Sequence, residues 1–358
     1  MSDGPALGSV LVVGTGLMGT SVALALRAHG VAVFLSDRDP ATAEMAAAFG
    51  AGEVAGPATP PVDLAVIGAP PGAVAGVLAE LQQRGAAHAY TDLASTKSGL
   101  QRDLAAAGAD ATTFVGGHPL AGGERSGPTA ARGDLFEGRP WVLTPSPVSD
   151  AAAVAAVEEL VRLCRADPVV MDPEAHDRAV ALVSHAPQVL ATLVGARLVD
   201  APEDAVALAG QGIRDVTRIA ASDPALWTEI LRGNAGAVAD VLDAVAADLE
   251  VVRRALRAGQ TDDVTAALKA GNAGRARLPG KHGGTPASYT AVPVLVPDRP
   301  RELARLLTDV GDADFNIEDL QIEHSPGQPV GLARIAVRPD RAEPLVAELR
   351  SRGWTVHW

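Results

Sequence analysis

The chain has 358 residues, 47% of them hydrophobic, and a formal net charge of −13. This length is enough for two or three domains with their own cores, whereas the acidic balance disfavours nucleic acid, which needs a basic face. The single cysteine, Cys164, fits a reducing cytoplasm. We also expect no signal peptide and no apolar stretch long enough to span a bilayer.

The first elements predict a nucleotide-binding unit. The β-branched run Ser9–Val13 is typical of a buried parallel strand, and it enters the G-x-G-x-x-G turn at residues 14–19. A helix and a second strand, Ala32–Ser36, follow and end at Asp37. The glycines permit a tight turn, approach of a pyrophosphate and close helix–strand packing, and the acid is placed to bind ribose hydroxyls. Asp37 favours NAD over NADP, although the adjacent Arg38 could hold a 2′-phosphate.

Further alternation of strands and helices predicts a Rossmann-type doubly wound parallel sheet over residues 1–172. Later strands are expected at Leu64–Ala69, His88–Asp92, Phe114–Gly116, Trp141–Thr144 and Pro168–Met171. Open α/β sheets bind ligands at the carboxyl ends of their strands, which is where Pro70, Ser95 and Lys97 fall. Ser95 is either a helix cap or a site hydroxyl, and Lys97 has the usual expectation of a solvated surface charge. The predicted cofactor-binding residues are Gly14, Gly16, Leu17, Met18, Gly19, Asp37, Arg38 and Pro70.

The stretch of residues 114–127 contains five glycines and predicts a shaped loop, because each glycine adds backbone freedom. His118 lies in it between Gly117 and Pro119. A histidine held in this way suits proton transfer, since its ordinary pKa is near neutrality. The alternative is a surface loop with an incidental histidine.

Residues 173–270 show helical spacing and no strand pattern, so we predict an all-helical domain. His176 and His185 are nine residues apart, about 180° on a straight helix, and cannot both face one pocket unless the helix is kinked. Pro187 is placed to produce such a kink. A satisfied core or interface histidine remains the alternative for each, and it is the favoured interpretation of His176.

Two arginines mark a second candidate site. Arg214 and Arg218 are four residues apart and share a helix face, with Asp215 adjacent. On an acidic protein this pair predicts an anion site, and the alternative is a surface ion-pair cluster with Asp215. A long helix is then expected from Pro224 to Arg257, with an apolar stripe that favours a symmetric homodimer.

The hydrophobic pattern of the C-terminal part differs from that of the helical domain before it. Residues 271–287 are rich in glycine and basic side chains and are predicted to be a linker. Residues 288–358 have a βαββαβ order, which is typical of a ferredoxin-like sandwich.

Taken together, the motifs of the chain resemble those of the prephenate dehydrogenases of tyrosine biosynthesis over about residues 9–270, with a C-terminal ACT domain at 288–358. The motifs that carry this resemblance are Gly14–Gly19 with Asp37, Thr91–Lys97, Gly117–Gly122 with Glu124 and Ser126–Gly127, His176–Asp177, Ser184–Pro187 and Arg214–Arg218.

This resemblance implies NAD-dependent oxidative decarboxylation. By the same likeness, His118 accepts the proton of the substrate hydroxyl, Ser95 orients that hydroxyl, and Arg218 pairs with a substrate carboxylate. No metal ligand is implied. The other substrate-binding residues implied by the motifs are Glu124, His185, Gln188, Arg214 and Asp215.

Departures from the family pattern leave some choices open. Gln188 stands where many prephenate-specific members have histidine, and Gly123 replaces a frequent threonine, so arogenate is an alternative substrate. In the C-terminal part, Arg301 and Asp314 replace glycines of the ACT pattern. A tyrosine effector there and a purely dimer-forming or stabilising sandwich are therefore both open.

Two other functions remain as alternatives. A β-hydroxyacid dehydrogenase would need a catalytic lysine in the helical domain, which offers only Lys269 near its end. A catalytically silent NAD-binding regulator would use the C-terminal part as a sensor, and His118, Ser95 and Arg218 would then be free to vary.

Overall fold

The computed structural model describes residues 7–122, 125–278, 289–324 and 329–358. The chain divides into two compact units, residues 1–247 and 248–358, which are described separately. The predicted division at residue 172 therefore lies inside the first unit. The predicted linker was wrong at its start, because residues 271–275 are helical, and residues 279–287 of it lie outside the described residues.

The first unit contains an eight-stranded sheet among its described residues, in the order β3-β2-β1-β4-β5-β6-β7-β8. Its strands are β1 Ser9–Val13, β2 Ala32–Ser36, β3 Glu53–Val54, β4 Val62–Ile67, β5 Ala87–Asp92, β6 Phe114–Pro119, β7 Pro140–Pro145 and β8 Asp167–Val170. The predicted Rossmann-type sheet is confirmed. It is not wholly parallel, however, because β7 pairs antiparallel with β6, and β8 runs parallel to β7.

The central strands of the sheet are buried on both faces, and they are nearly continuous apolar runs. Val12 and Val66 on one face and Ala65 and Ile67 on the other have no exposed surface. Cys164 ends the last helix of this layer as a buried core residue, and burial raises the pKa of its thiol to about 12. The helices that flank the sheet are α1 Leu17–Ala28, α2 Pro40–Ala48, α3 Val74–Gln83, α4 Ser98–Ala107 and α5 Ala151–Leu163.

A helical region follows the sheet. Its helices are α6 Pro173–Val180, α7 Ala186–Ala196, α8 Glu203–Val206, α9 Gln211–Thr217, α10 Pro224–Gly233, α11 Ala235–Ala258 and α12 Asp262–Arg275. The irregularity predicted near Pro187 is present as a π turn, Ala181–His185, which joins α6 to α7. The single helix predicted from residue 224 to 257 was wrong, because it breaks at Asn234, whose side chain bonds to two other parts of the unit.

The continuous helix Pro173–Ala196 has 24 residues and is apolar enough to cross a membrane by length and composition alone. The expectation that no stretch would reach that length was therefore wrong. Two polar residues of this helix, His176 and Asp177, are nevertheless buried against the sheet, and Asp177 bonds to the backbone at Lys97. These contacts anchor the first turns of this helix to the sheet.

The second unit contains the predicted βαββαβ sandwich, which is confirmed. Its sheet has the order β10-β11-β9-β12 and antiparallel pairing. Alternate residues of β9 and β11 point into the core, as the period of two requires. The elements are β9 Thr290–Pro297, α13 Glu302–Asp312, β10 Asp319–His324, β11 Val330–Val337, α14 Pro339–Ser351 and β12 Thr355–Val356.

Arg301 and Asp314, the two residues that replace expected glycines, keep the backbone shape of glycine. Their φ angles are 76° and 60°, in the left-handed region that favours glycine. A non-glycine residue pays about 1–2 kcal/mol for this conformation.

Replacement of Arg301 by glycine should therefore stabilise the chain. We expect Arg301→Gly to raise the free energy of unfolding by up to about 1 kcal/mol, because relief of the left-handed strain exceeds the added freedom of glycine in the unfolded state. Chemical denaturation measures this change. The matched control is Arg299→Gly, where φ is not positive and stability should fall. A loss of similar size in both variants would contradict the assignment of strain to Arg301.

Candidate active site

One edge of the large sheet gathers the candidate residues. The neighbouring parallel strands β1, β4, β5 and β6 all end at this edge. Gly14 follows β1, Gly68 follows β4, Asp92 ends β5, and His118 lies next to the end of β6. Because adjacent strands are about 4.8 Å apart, the glycine turn and His118 are separated by three spacings, or roughly 14 Å.

The three glycines of the turn have three different environments. Gly14 has a φ of 97°, so it makes the tight turn. A Cβ on Gly19 would collide with the Gly14 carbonyl and lie 3.1 Å from Val12 Cγ1, so Gly19 permits close helix–strand packing. Around Gly16, which precedes α1, no atom lies within 4 Å of the Cβ position. This open cradle at a helix N-terminus fits a pyrophosphate.

Asp37 lies at the end of β2 and is held by the turn itself. Its Oδ2 accepts hydrogen bonds from the backbone N and the hydroxyl of Thr15, at 2.7 and 3.1 Å. The adjacent Arg38 is exposed. The acid predicted to face the ribose is therefore fixed next to the glycine turn.

The other predicted cofactor residues surround this turn. Leu17 and Met18 begin α1 and are half-buried. Pro70 precedes a 3₁₀ turn after β4, and Arg232 of α10 reaches to 3.8 Å from the Cβ position of Gly72 in that turn. A cation from the helical region therefore adjoins the Pro70 segment.

The strand predicted at Phe114–Gly116 is confirmed, but it continues to Pro119, so His118 is a strand residue and the predicted loop was wrong for residues 117–119. The glycines before it serve packing. A Cβ on Gly117 would lie 2.6 Å from the Asp92 carbonyl oxygen and 2.8 Å from Thr91 Oγ1, and one on Gly116 would collide with the Thr144 hydroxyl. Glycine is required at both positions because neighbouring strands and side chains approach closely, which lets His118 lie at the sheet edge.

His118 is the first member of a hydrogen-bonded chain that leads into the helical region. Its Nδ1 lies 2.8 Å from His176 Nε2, and His176 Nδ1 lies 2.8 Å from Asp177 Oδ1. His176 is fully buried, while His118 is half-buried. The favoured interpretation of His176, a satisfied core histidine, is incomplete, because its partner is the candidate base.

Asp177 is the last member of this hydrogen-bonded series, and backbone N–H groups donate to its carboxylate. Its Oδ1 accepts from Lys97 N and its Oδ2 from Ser98 N, each at 2.9 Å, and the Ser98 hydroxyl also donates to Oδ2. Burial acts to raise the pKa of Asp177, but the hydrogen bonds from His176 and Ser98 outweigh it and lower that pKa. Asp177 is therefore a buried carboxylate at neutral pH.

Lys97 is buried, so the expectation of a solvated surface charge was wrong. Its side chain is 1% exposed and forms an ion pair with Asp92, whose side chain is fully buried. Asp92 also accepts hydrogen bonds from the backbone of Ala94 and Gly117. Burial lowers the pKa of Lys97, while the negative charge and hydrogen bond of Asp92 act in the opposite direction. The pair braces the end of β5 against the strand that carries His118.

The kinked helix brings a third histidine to the same pocket. His185 is buried, its Nδ1 lies 3.1 Å from Asn234 Nδ2, and its ring forms a T-shaped pair with Trp227, with ring centroids 6.1 Å apart. Asn234 also donates to the Asp177 carbonyl at 2.7 Å. His176 and His185 thus lie on the same side of the helix next to Asp177, and the π turn between them interrupts the regular helix that would have set them on opposite faces.

The electrostatics of this pocket keep His118 neutral. Burial lowers the pKa of His118 well below its ordinary value of 6.5, and electrostatic interactions with Lys97, His176 and His185 lower it further, against the opposing effect of Asp177. A neutral imidazole at neutral pH can accept a proton. Its Nε2 has no hydrogen-bond partner among the described residues.

The remaining predicted site residues lie around this centre. Ser95 is half-buried in the connection between β5 and α4, and its hydroxyl bonds to no described residue. Arg214, Asp215 and Arg218 are exposed, and neither arginine forms an ion pair in the described parts of the chain, so the ion-pair alternative is not supported. Glu124 lies outside the described residues.

Gln188 is buried and donates to the Ile219 carbonyl at 2.9 Å. It lies one helical turn after His185 and so shares a face with it. Through this bond Gln188 holds the segment that begins at Arg218 against the face that presents His185. The side chain of Gln188 therefore supports a neighbouring segment through its amide nitrogen.

Sequence reasoning named His176–Asp177 only as a motif and missed Asp92, Lys97 and Asn234 as site residues. A histidine followed by an acid was the available signal for the first pair. The others carry no clear local signal, because Asp92 bonds Gly117, which is 25 residues away, and Asp177 is 80 residues from Lys97 and 57 from Asn234.

Comparisons with known proteins give matches over most of the chain. Residues 22–170 match the prephenate dehydrogenase nucleotide-binding domain, and residues 172–270 match the prephenate dehydrogenase dimerization domain. A probable prephenate dehydrogenase NovF of Streptomyces niveus is 43% identical over 97% of this chain and 98% of its own length.

Two solved structures have a similar fold over about three quarters of this chain. The prephenate dehydrogenase of A. aeolicus, crystallised with hydroxyphenyl propionate and NAD+, is 28% identical and superposes with a TM-score of 0.67 over 75% of this chain and 97% of its own. The Synechocystis arogenate dehydrogenase is 26% identical, with a TM-score of 0.63 over 75% of this chain and 98% of its own.

Proposed function

The chain belongs to the prephenate dehydrogenase family of NAD-dependent oxidoreductases, and on that premise we propose that it converts prephenate to 4-hydroxyphenylpyruvate in tyrosine biosynthesis. The observation that carries the proposal is the position of His118. It is a neutral, half-buried imidazole at the sheet edge that also carries the glycine turn. A base at that place can deprotonate a substrate hydroxyl beside the cofactor.

The residues of the glycine turn fit NAD. The open position at Gly16 and the N-terminus of α1 would hold the pyrophosphate, and Asp37 would accept hydrogen bonds from the ribose hydroxyls. A 2′-phosphate would place negative charge against the Asp37 carboxylate, which favours NAD over NADP. When bound, NAD supplies the hydride acceptor of the reaction.

His118 handles the proton of the reaction. Its Nε2 accepts the proton of the substrate hydroxyl while the ring carbon that bears this hydroxyl loses its hydride. Loss of carbon dioxide then makes the ring aromatic and leaves a phenolate oxygen. The imidazolium of His118 returns the proton to that oxygen, so atoms and charges balance over the reaction.

Three further groups would orient the substrate. The Ser95 hydroxyl, which has no described partner, would hold the reacting hydroxyl against His118. His185 accepts from Asn234 at Nδ1, so its Nε2 carries a hydrogen and can donate to an oxygen of the substrate. Arg218, exposed and without an ion pair among the described residues, would bind a substrate carboxylate.

The direct test is the purified protein with NAD and either prephenate or arogenate in parallel, followed at the absorbance of reduced nicotinamide. We expect turnover with prephenate. Turnover with arogenate alone would identify arogenate as the substrate. This outcome is the alternative raised by Gln188, which stands where many prephenate-specific members have histidine. No signal with either substrate would refute the proposed enzyme.

The role of Arg218 has its own test. Arg218→Ala should raise the KM for prephenate by roughly 10- to 100-fold, because a charge-assisted hydrogen bond contributes about 1.5–3 kcal/mol. The value of kcat should change much less if the contact is equally strong in the ground state and in the transition state. Arg197→Ala, in the turn after α7, is the control, and an unchanged KM in Arg218→Ala would exclude the carboxylate role.

We also propose that the protein is a cytoplasmic homodimer. Support comes from the match to a dimerization domain and from large apolar side chains that are more than half exposed in the helical region. These side chains are Leu182, Val183, Leu193, Val199 and Leu208. Light scattering of the purified protein is the decisive measurement, and the mass of a single chain would contradict the proposal.

Tyrosine as an effector at the C-terminal sandwich, interpreted as an ACT domain, remains a proposal. Support comes from the glycine-like backbone at Arg301 and Asp314, although both add side chains where glycine would leave space. Loss of tyrosine inhibition on deletion of residues 288–358 would support it. Absence of inhibition in the full chain would leave the sandwich a structural role.

A further inference from the structure

The carboxylate of Asp177 can only accept hydrogen bonds. Both of its oxygens face backbone N–H groups, with Lys97 N on Oδ1 and Ser98 N on Oδ2, each at 2.9 Å. The Ser98 hydroxyl also donates to Oδ2, and hydrogen bonds to both oxygens favour the charged form over the protonated one. An amide in place of the carboxylate would set an N–H group against one of these donors. The geometry around Asp177 therefore favours an ionised carboxyl group.

This charge state fixes the protons of both histidines in turn. His176 Nδ1 lies 2.8 Å from Asp177 Oδ1 and must donate, so Nδ1 carries the hydrogen and a neutral His176 has a bare Nε2. His118 Nδ1 lies 2.8 Å from that Nε2 and must donate to it. A neutral His118 then carries its hydrogen on Nδ1, and its Nε2 has a free lone pair.

We propose that Asp177 and His176 are positioning residues that hold His118 in the tautomer whose bare Nε2 faces the substrate hydroxyl. The proposal rests on the proposed function for the role of His118 as the base. When Nε2 takes the hydroxyl proton, the positive charge that forms on His118 is stabilised by Asp177 through His176. When the phenolate oxygen takes the proton back, the chain returns to its starting state.

The fixed backbone makes this arrangement rigid. The two N–H groups that hold Asp177 belong to the start of α4, and the side chain of Asn234 binds the Asp177 carbonyl at 2.7 Å. Asp177 is thus held from the sheet side and from the helical side. Such support of a reacting group by residues behind it is how active sites keep orientation and tautomer.

Nitrogen NMR of the protein labelled at histidine tests the tautomers without any turnover. The chain has 8 histidines, and the signals of His118 and His176 are assigned from single substitutions. We expect a protonated Nδ1 and a bare Nε2 on His118, and a protonated Nδ1 on His176. A proton on Nε2 of His118 would overturn the inference whether or not the protein uses prephenate.

Asp177→Asn tests the consequence for catalysis. With the amide nitrogen turned toward His176, both histidines would change tautomer and His118 would present an N–H to the substrate. With the carbonyl oxygen turned toward His176, the tautomers would stay, but the negative charge that stabilises the imidazolium of His118 would be lost. In either orientation we expect kcat to fall by roughly 10²–10⁴, the usual contribution of a general base, while KM changes by less than about threefold. The His118 signals of the variant distinguish the two orientations.

The matched control is Asp172→Asn, which makes the same chemical change on the same helix. Asp172 caps α6 by accepting from the backbone of Glu174 and Ala175, and asparagine caps a helix as well as aspartate does. This control should keep the wild-type kcat and His118 tautomer. A folded Asp177→Asn variant with kcat within about threefold of wild type would overturn the inference, and if that variant fails to fold, the NMR result on the wild type decides.

Discussion

His118→Asn should lower kcat by roughly 10²–10⁴ while leaving the affinity for NAD within about twofold of wild type. Asparagine keeps a polar group beside His176 but cannot accept a proton near neutral pH. The cofactor cradle is at β1 and β2, three strand spacings away from β6, so the substitution should not reach it. Steady-state rates and NAD titration measure the two quantities, and equal losses in both would contradict the role of base.

The pH dependence gives a second readout of the same residue. Burial and nearby positive charge lower the pKa of His118 below 6.5, so the imidazole stays neutral further into the acid range. The value of kcat/KM should therefore hold at neutral pH and fall only as the pH drops through the lowered pKa. This acid limb should be absent in His118→Asn, and a limb that persists unchanged would assign it to another group.

Lys97→Met should destabilise the fold by about 3–5 kcal/mol, because it leaves the Asp92 carboxylate buried without its counter-ion. Both side chains of this pair are at most 1% exposed, so water cannot replace the lost contact. Chemical denaturation of wild type and variant gives the difference. Loss of the positive charge should also raise the pKa of His118 and move the acid limb of kcat/KM to higher pH.

The control for Lys97→Met is Arg84→Met, which breaks an exposed ion pair with Glu80 and should change stability little. A double variant, Asp92→Asn with Lys97→Met, should lose less than the sum of the two single variants, since no lone buried charge remains. If Lys97→Met and Arg84→Met cost the same, the buried pair is not a structural brace.

The strands and the glycine turn could be predicted because their information is local. Ser9–Val13 and Ala32–Ser36 are strands over the predicted residues, since short β-branched runs suit a buried parallel sheet. The roles of Gly14 and Gly19 also follow from spacing alone. The direction of β7 did not, because it depends on the path of residues 120–139, which carry no helical or strand period.

The site residues that could not be predicted share one physical cause: contacts with distant residues override the local preference of each side chain. A lysine is usually exposed, and only the structure shows that Lys97 is buried beside Asp92. Asn234 is compatible with the predicted long helix, yet its bonds to Asp177 and His185 end α10 there. The kink between His176 and His185 was predictable from Pro187, but its form as a π turn was not.

The antiparallel pairing of β7 with β6 has a consequence for how such enzymes diversify. His118 pairs with Val142 and Pro119 with Trp141, so the chain leaves β6 and enters β7 at the rim where the base lies. Just before β7, Leu135 and Phe136 are buried in the main core, and Phe136 packs against Trp141. A length change or graft in residues 128–139 would therefore disturb the strand pair that carries the base, so divergence between lineages is constrained there by the packing that holds His118.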